Sequence, residues 1–251
     1  MPFPLAHPAA VLPFRRWCPK YLDFVALVIG SLIPDLASSV DDLEYFSHTL
    51  LGSFVLCLPF GLLTLWIFRK IRDPLVSTLP SLHRDVALSF RPWRTAPLVQ
   101  IALSLLVGVW LHDLWDMFTH DHSWLVRRGL LSSLSVGGIP LNRVLWFLST
   151  LIGTAIVLIN YFLLVRKRAR KQTPGTKILP QIERRAYAFW LGILALPIAG
   201  AVPLTFVDPT YYHGAFLRFF TMYYLSCFYI TLVVVGFVIR YRKKQKVAQE
   251  T

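Results

Sequence analysis

Polar and apolar positions along this chain fall into blocks instead of following the short periods of elements that face water on one side. Continuous apolar runs occupy residues 48–68, 97–118, 142–165, 186–207 and 216–239. A bilayer core about 30 Å thick needs about 20 helical residues at about 1.5 Å each, so each run is long enough to cross. A sixth block, YLDFVALVIGSLIP at 21–34, is shorter and suits a re-entrant or interfacial helix. The pattern predicts an all-α, multi-pass transmembrane helical bundle of about five spanning helices plus that short N-terminal helix. Pro59, Pro197 and Pro203 fall inside runs, where kinks are tolerated if the freed backbone groups find partners. Residues 73–96 and 172–185 read as connecting loops.

Composition agrees. The 251 residues are 55% hydrophobic and only 16% charged, against about 25% charge in ordinary soluble domains. The net charge of +13 raises nucleic acid as a partner. Its placement argues against one: RKIR (69–72), RKRARK (166–171) and RYRKKQK (240–246) each follow an apolar run directly. Such clusters flank membrane helices on the cytoplasmic side and favour anionic headgroups. With five crossings, 19 of the 26 Lys and Arg residues fall on the side of the C-terminus. The C-terminus is therefore expected in the cytoplasm, with the 119–143 and 208–215 loops on the outer face. Cys18, Cys57 and Cys227 are isolated and give neither a disulfide framework nor a thiolate zinc site. The opening residues lack a charged n-region and a cleavage signature, so the N-terminus is expected to be retained.

The candidate chemistry lies in that outer layer. WLHDLWDMFTHDH (110–122) closes the second run, and EYFSHT, with Glu44 and His48, opens the first. His7 in PLAHPA and Asp35 in GSLIPD belong to the same layer. Residues four apart on a helix are separated by about 40° and about 6 Å, so Glu44 shares a face with His48, and His112 with Asp116. Ionisable groups in apolar segments are costly and normally pair or serve function. Imidazoles with carboxylates suit a divalent metal, zinc first; a plain His112–Asp116 hydrogen-bonded pair is the structural alternative. His120 lies about 12 Å and about 80° from His112 on a continuous helix. That makes it a ligand to a second metal bridged by Asp116, an outer-shell group or a proton carrier. Asp113 and Asp121 are offset from this face, His122 and His213 are marginal, and His83 falls in a cytoplasmic loop. Arg127, Arg128 and Arg143 either clamp an anion or anchor the interface.

MPFPLAHPAAVLPFRR, VIGSLIPD, EYFSHTLLG and LHDLWDMFTH, in this order, resemble the motifs of a bacterial integral-membrane family, domain of unknown function 4184. The resemblance covers about the first 165 residues and separates a family-like membrane domain (1–165) from a basic loop, two spans and a basic tail (166–251). More distantly the pattern is similar to membrane-bound metal-dependent hydrolases, and more loosely to zinc-dependent phospholipase C enzymes. Carried over by motif, the resemblance implies a metal site of His7, Asp35, His48, His112 and Asp116, with His120 beside it. One departure stands out. The family pattern has an acid or aromatic close after Pro-Asp, whereas here LASSVDDLEYF follows Asp35 and Glu44 lies nine residues on. Glu44 either replaces that acid or pairs with His48.

The resemblance and the residues together lead to an expected hydrolase of the bacterial plasma membrane. It would use His120 and Glu44 catalytically, with a divalent metal and a phospholipid or lipid-linked phosphoester at the outer surface. The alternative is a non-catalytic membrane protein with a structural metal site, or an ion transporter. A transport path needs ionisable groups through the bilayer, and the middles of spans three to five offer little beyond Asn160.

Overall fold

In the computed structural model the described residues are 3–18, 20–37, 41–89, 96–120, 123–131, 133–170, 180–207 and 216–250, with backbone alone at 41, 42, 44, 89, 180, 207, 217, 218 and 250. They form helices almost throughout. A 3-10 turn (Pro4–Ala6) leads into α1 (Pro8–Val11) and a second 3-10 stretch (Leu12–Trp17). Short helices follow: α2 (Phe24–Gly30), α3 (Ile33–Ala37), α4 (Asp41–Ser47) and α5 (Leu50–Gly52). A π-helical turn (Ser53–Cys57) runs into α6 (Leu58–Val76), then α7 (Ser81–Ser89), α8 (Leu98–Asp116) and α9 (Trp124–Arg127). A two-residue hairpin, β1 (Ser135–Val136) with β2 (Ile139–Pro140), precedes α10 (Leu141–Ala169), α11 (Pro180–Val207) and α12 (Phe216–Glu250).

Five helical segments are long and apolar enough to cross a membrane: Leu50–Val76, Leu98–Asp116, Leu141–Ala169, Gln181–Phe206 and Phe219–Gln249. They coincide with the five apolar runs and mostly outrun them, because basic and polar residues extend the helices past the apolar stretch. The 73–96 region, expected as a loop, instead carries the end of α6 and all of α7. Outward-facing Leu151, Phe162, Leu191 and Phe206 are well over half exposed, as helices bathed in lipid require.

The chain divides into two units. Met1–Leu65 with Trp93–Asn160 is one, and Trp66–Pro92 with Tyr161–Thr251 is the other. In the second, α11 and α12 pack together, with Cys227 Sγ 3.0 Å from where a Cβ on Gly200 would stand. Arg240 and Lys243 of α12 donate to Lys70 O and Ser77 Oγ at 2.9 and 2.7 Å.

The first unit is built on the crossing of α2 and α8. A Cβ on Gly30 would stand 2.2 Å from Leu105 O, and one on Gly108 would stand 2.3 Å from Leu27 O. Only glycine admits such backbone-to-backbone approach. In lipid, where the hydrophobic effect no longer drives helices together, small residues at a crossing supply the packing that does. Leu27, Ile33, Leu105 and Val109 are fully buried around it. Asp23 caps α2, its Oδ1 accepting from Ala26 N at 2.9 Å, and its own amide donates to Ser104 Oγ on α8 at 2.8 Å. The expected short helix at 21–34 is thus two pieces. Pro34 has no amide to continue the α2 ladder, so the chain turns at Ser31 and Leu32 and restarts as α3.

Candidate metal centre

Five local devices carry side chains to one place. Thr150 Oγ1 on α10 accepts from Phe3 N at 3.1 Å, and Ala6 packs on Gly153. This pins the N-terminal segment that holds His7. Pro34 starts α3 and sets Asp35 in its first turn. Thr49 caps α5, accepting from Gly52 N at 2.9 Å, and so fixes the exit of His48 from α4. The α2–α8 crossing fixes His112 and Asp116, one turn apart on the last turns of α8.

His120 follows one turn after Asp116. Helix α8 ends at Asp116, and Met117–Thr119 form turns in which Thr119 N and His120 N both bond Asp116 O, at 3.1 and 3.0 Å. The second of these is a helix-like bond, and it sets His120 Nδ1 3.2 Å from Asp116 Oδ2. His120 therefore meets the cluster through Asp116.

The result is a buried cluster of four imidazoles and two carboxylates. His7 Nε2 lies 3.7 Å from Asp35 Oδ2 and 3.7 Å from Asp116 Oδ1. His112 Nε2 lies 3.6 Å from Asp35 Oδ1 and 3.2 Å from Asp116 Oδ2. His48 Nε2 lies 3.5 Å from Asp116 Oδ2 and 3.3 Å from His112 Nε2. The His7 and His112 rings stack with centroids 3.9 Å apart. His7, Asp35, His112, Asp116 and His120 are all buried, and the His48 side chain, 12% exposed, is the edge nearest solvent.

Hydrogen bonds outside the cluster set which nitrogens face in. His112 Nδ1 is 2.9 Å from Ser31 O. A carbonyl only accepts, so Nδ1 carries a proton and the neutral ring presents a bare Nε2 to the cluster. His48 Nδ1 meets Ser47 Oγ at 3.1 Å, and that hydroxyl donates to Pro34 O at 3.5 Å. The Ser47 proton being committed, Nδ1 donates and Nε2 again points inward. Ser31 and Ser47 are functional neighbours that sequence reasoning missed; a serine before a histidine, or at a helix end, gives no signal by itself.

These polar atoms satisfy one another only in part. Among the described residues, His7 Nε2, both oxygens of Asp35 and Asp116 Oδ2 are buried without a hydrogen bond. Buried polar groups normally have partners, and two close carboxylates repel. Burial lowers the His7 pKa well below its ordinary value, with His112 adding to the effect. Burial pushes Asp35 up to about 6, helped by the nearby Asp116 charge. A dication answers both defects. His7, Asp35, His112 and Asp116 each offer one ligand atom, all within 4.8 Å of one another. His7 Nε2 and His112 Nε2 each stand 3.2–3.7 Å from one or other oxygen of both carboxylates, and imidazole nitrogen with carboxylate oxygen is a donor set that suits zinc. His48, Asp116 and His120 form a second such group sharing Asp116, and His48, His112 and Asp113 a third. The cluster could hold a metal ion.

The other candidates are placed as follows. Glu44 is on α4, but its side chain is outside the described residues, as are Asp121, His122 and His213. His83 stands apart on α7, bonded to Tyr161. Arg127 on α9 donates to the hydroxyl of Tyr45, one turn before His48, and its guanidinium lies 5.6 Å from that ring's centroid. Arg128 lies over Trp124, 5.1 Å from its ring centroid.

A family model described as Domain of unknown function (DUF4184) matches residues 1–239, so the similarity runs well past residue 165 and through the last two spans. No curated protein and no solved structure matches the chain.

Proposed function

The chain belongs to the DUF4184 family of unknown function, and from the chemistry of its buried cluster we propose that it is a membrane-bound, metal-dependent hydrolase of a phosphoester or related ester at the extracytoplasmic bilayer surface. The observation that carries this reading is the convergence of buried ligand atoms of His7, Asp35 and Asp116 on the inward-facing Nε2 of His112. Their chemistry favours zinc, the distribution of Lys and Arg favours a cytoplasmic C-terminus, and residence in a bacterial plasma membrane is what the family resemblance implies.

Bound there, a divalent cation supplies Lewis acidity, polarising an ester oxygen and making water acidic enough to lose a proton near neutral pH. The residues do the rest. His7, Asp35, His112 and Asp116 would hold one cation, and His48 and His120 with the shared Asp116 would hold a second. His120, beside Asp116, takes up and returns the proton, with Glu44 assisting from α4. His48 marks the side from which water and the ester enter. Arg127, held by Tyr45 one turn away, supplies positive charge for an anionic headgroup.

The test is hydrolysis of phospholipids, lipid diphosphates and neutral lipid esters by purified protein in mixed micelles, before and after chelation. Turnover lost on chelation and restored by zinc or another divalent metal supports the reading. A protein that holds metal yet turns over none of these esters is the non-catalytic alternative.

A further inference from the structure

A cavity of about 370 Å³ lies between the N-terminal segment and α10, within the first unit. Its α10 wall is Leu145, Leu148, Ser149, Ile152, Gly153 and Ile156, spaced as a single helical face. Small residues opposite, Ala9 and Ala10 among them, leave the room. The remaining wall includes His7, a member of the cluster, and Trp115, next to Asp116.

We propose that this cavity is a slot for one acyl chain of a lipid whose ester or phosphate group is presented at the cluster. Three observations select that occupant. The lining is apolar apart from His7 and Ser149, so water is a poor occupant. The wall belongs to a membrane-spanning helix, and Leu148, Ile152 and Ile156 are each over 40% exposed, so the slot opens toward the surrounding bilayer. Leu145 to Ile156 spans ~16 Å of helix rise, about half of a ~30 Å hydrocarbon core, the depth of one leaflet. The volume is in the range of small-molecule sites, about 300–1,000 Å³. His7 makes the slot continuous with the metal cluster, so a chain lying in it brings its polar end to the reactive groups. The lipid's role as substrate rests on the hydrolase reading; occupancy of the slot does not.

The experiment uses full-length protein in phospholipid vesicles doped with a phospholipid bearing a photoreactive diazirine in its acyl chain. Adducts are mapped by peptide mass spectrometry, and bound metal is measured on the same samples. Wild type is expected to be labelled on the segment carrying Ala6–Ala10 as well as on lipid-facing Phe162 and Leu163. Ala10→Leu, and independently Leu148→Trp from the opposite wall, fill the slot. Each should cut labelling of the N-terminal segment at least fivefold while leaving Phe162 labelling and metal content unchanged. Labelling of the N-terminal segment that stays at the wild-type level in both variants overturns the proposal. Slot-dependent labelling in a protein without stoichiometric metal leaves the slot standing and removes the hydrolase reading alone.

Discussion

His112 donates its Nδ1 proton to the carbonyl oxygen of Ser31 at 2.9 Å, and this contact aims Nε2 at Asp116 Oδ2, 3.2 Å away. Ser31 is the C-terminal cap of α2, so the ligand's orientation is inherited from the α2–α8 crossing. The crossing depends in turn on Gly30 and Gly108.

Gly108→Ala should therefore damage the site from a distance. The added methyl meets Leu27 O, forces α2 off α8 and carries the Ser31 carbonyl away from His112. Overpacking of this kind costs about 1–3 kcal/mol. We expect a lowered melting temperature in detergent together with weakened metal binding. Gly192→Ala on α11 is the control: nothing lies within 4 Å of its would-be Cβ, and exchanging glycine for alanine in a helix is favourable by up to about 1 kcal/mol.

Ser47→Ala tests the second orienting contact. Without the hydroxyl, His48 Nδ1 loses this acceptor, and with it one restraint on the ring's orientation and tautomer. Outer-shell losses at metal sites cost about 10- to 100-fold in affinity. Competition with a fluorescent zinc chelator should show a drop of at least about tenfold, with the melting temperature nearly unchanged.

His120→Ala separates the two cation groups. His7, Asp35 and His112 do not depend on His120, whereas His48, Asp116 and His120 lose a ligand. Elemental analysis should fall from two metal ions per chain to one. A variant that keeps two ions removes His120 from the ligand set.

Arg127→Ala should act on substrate and spare the metal. Its guanidinium is tethered by the Tyr45 hydroxyl, and it belongs to none of the possible cation groups among the described residues. Hydrogen bonds to charged groups contribute about 1.5–3 kcal/mol, so KM for an anionic phosphoester lipid should rise about tenfold or more with kcat little changed. A neutral ester should be indifferent.

The five spans and the Asp116–His112 pair were readable because each depends on local spacing alone: run length in one case, the four-residue rise of a helix in the other. His120 beside Asp116 follows from the same four-residue spacing, its Nδ1 standing 3.2 Å from Asp116 Oδ2. Ser31 and Ser47 were invisible. Their role exists only once separate segments meet, and a glycine such as Gly108 gives no hint of which backbone will approach it. His7 and Asp35 illustrate the middle case, suggested by ordered motifs and brought to 3.7 Å only by folding.

The central claim is that the buried cluster is a cation site and not a set of imidazolium–carboxylate pairs. The most direct measurement is elemental analysis of detergent-purified full-length protein, wild type against His112→Ala and Asp116→Ala. The account predicts stoichiometric transition metal, zinc foremost, in the wild type, and loss of most of it in both variants. A folded wild type that carries no stoichiometric metal, and takes none up on exposure to zinc, contradicts it.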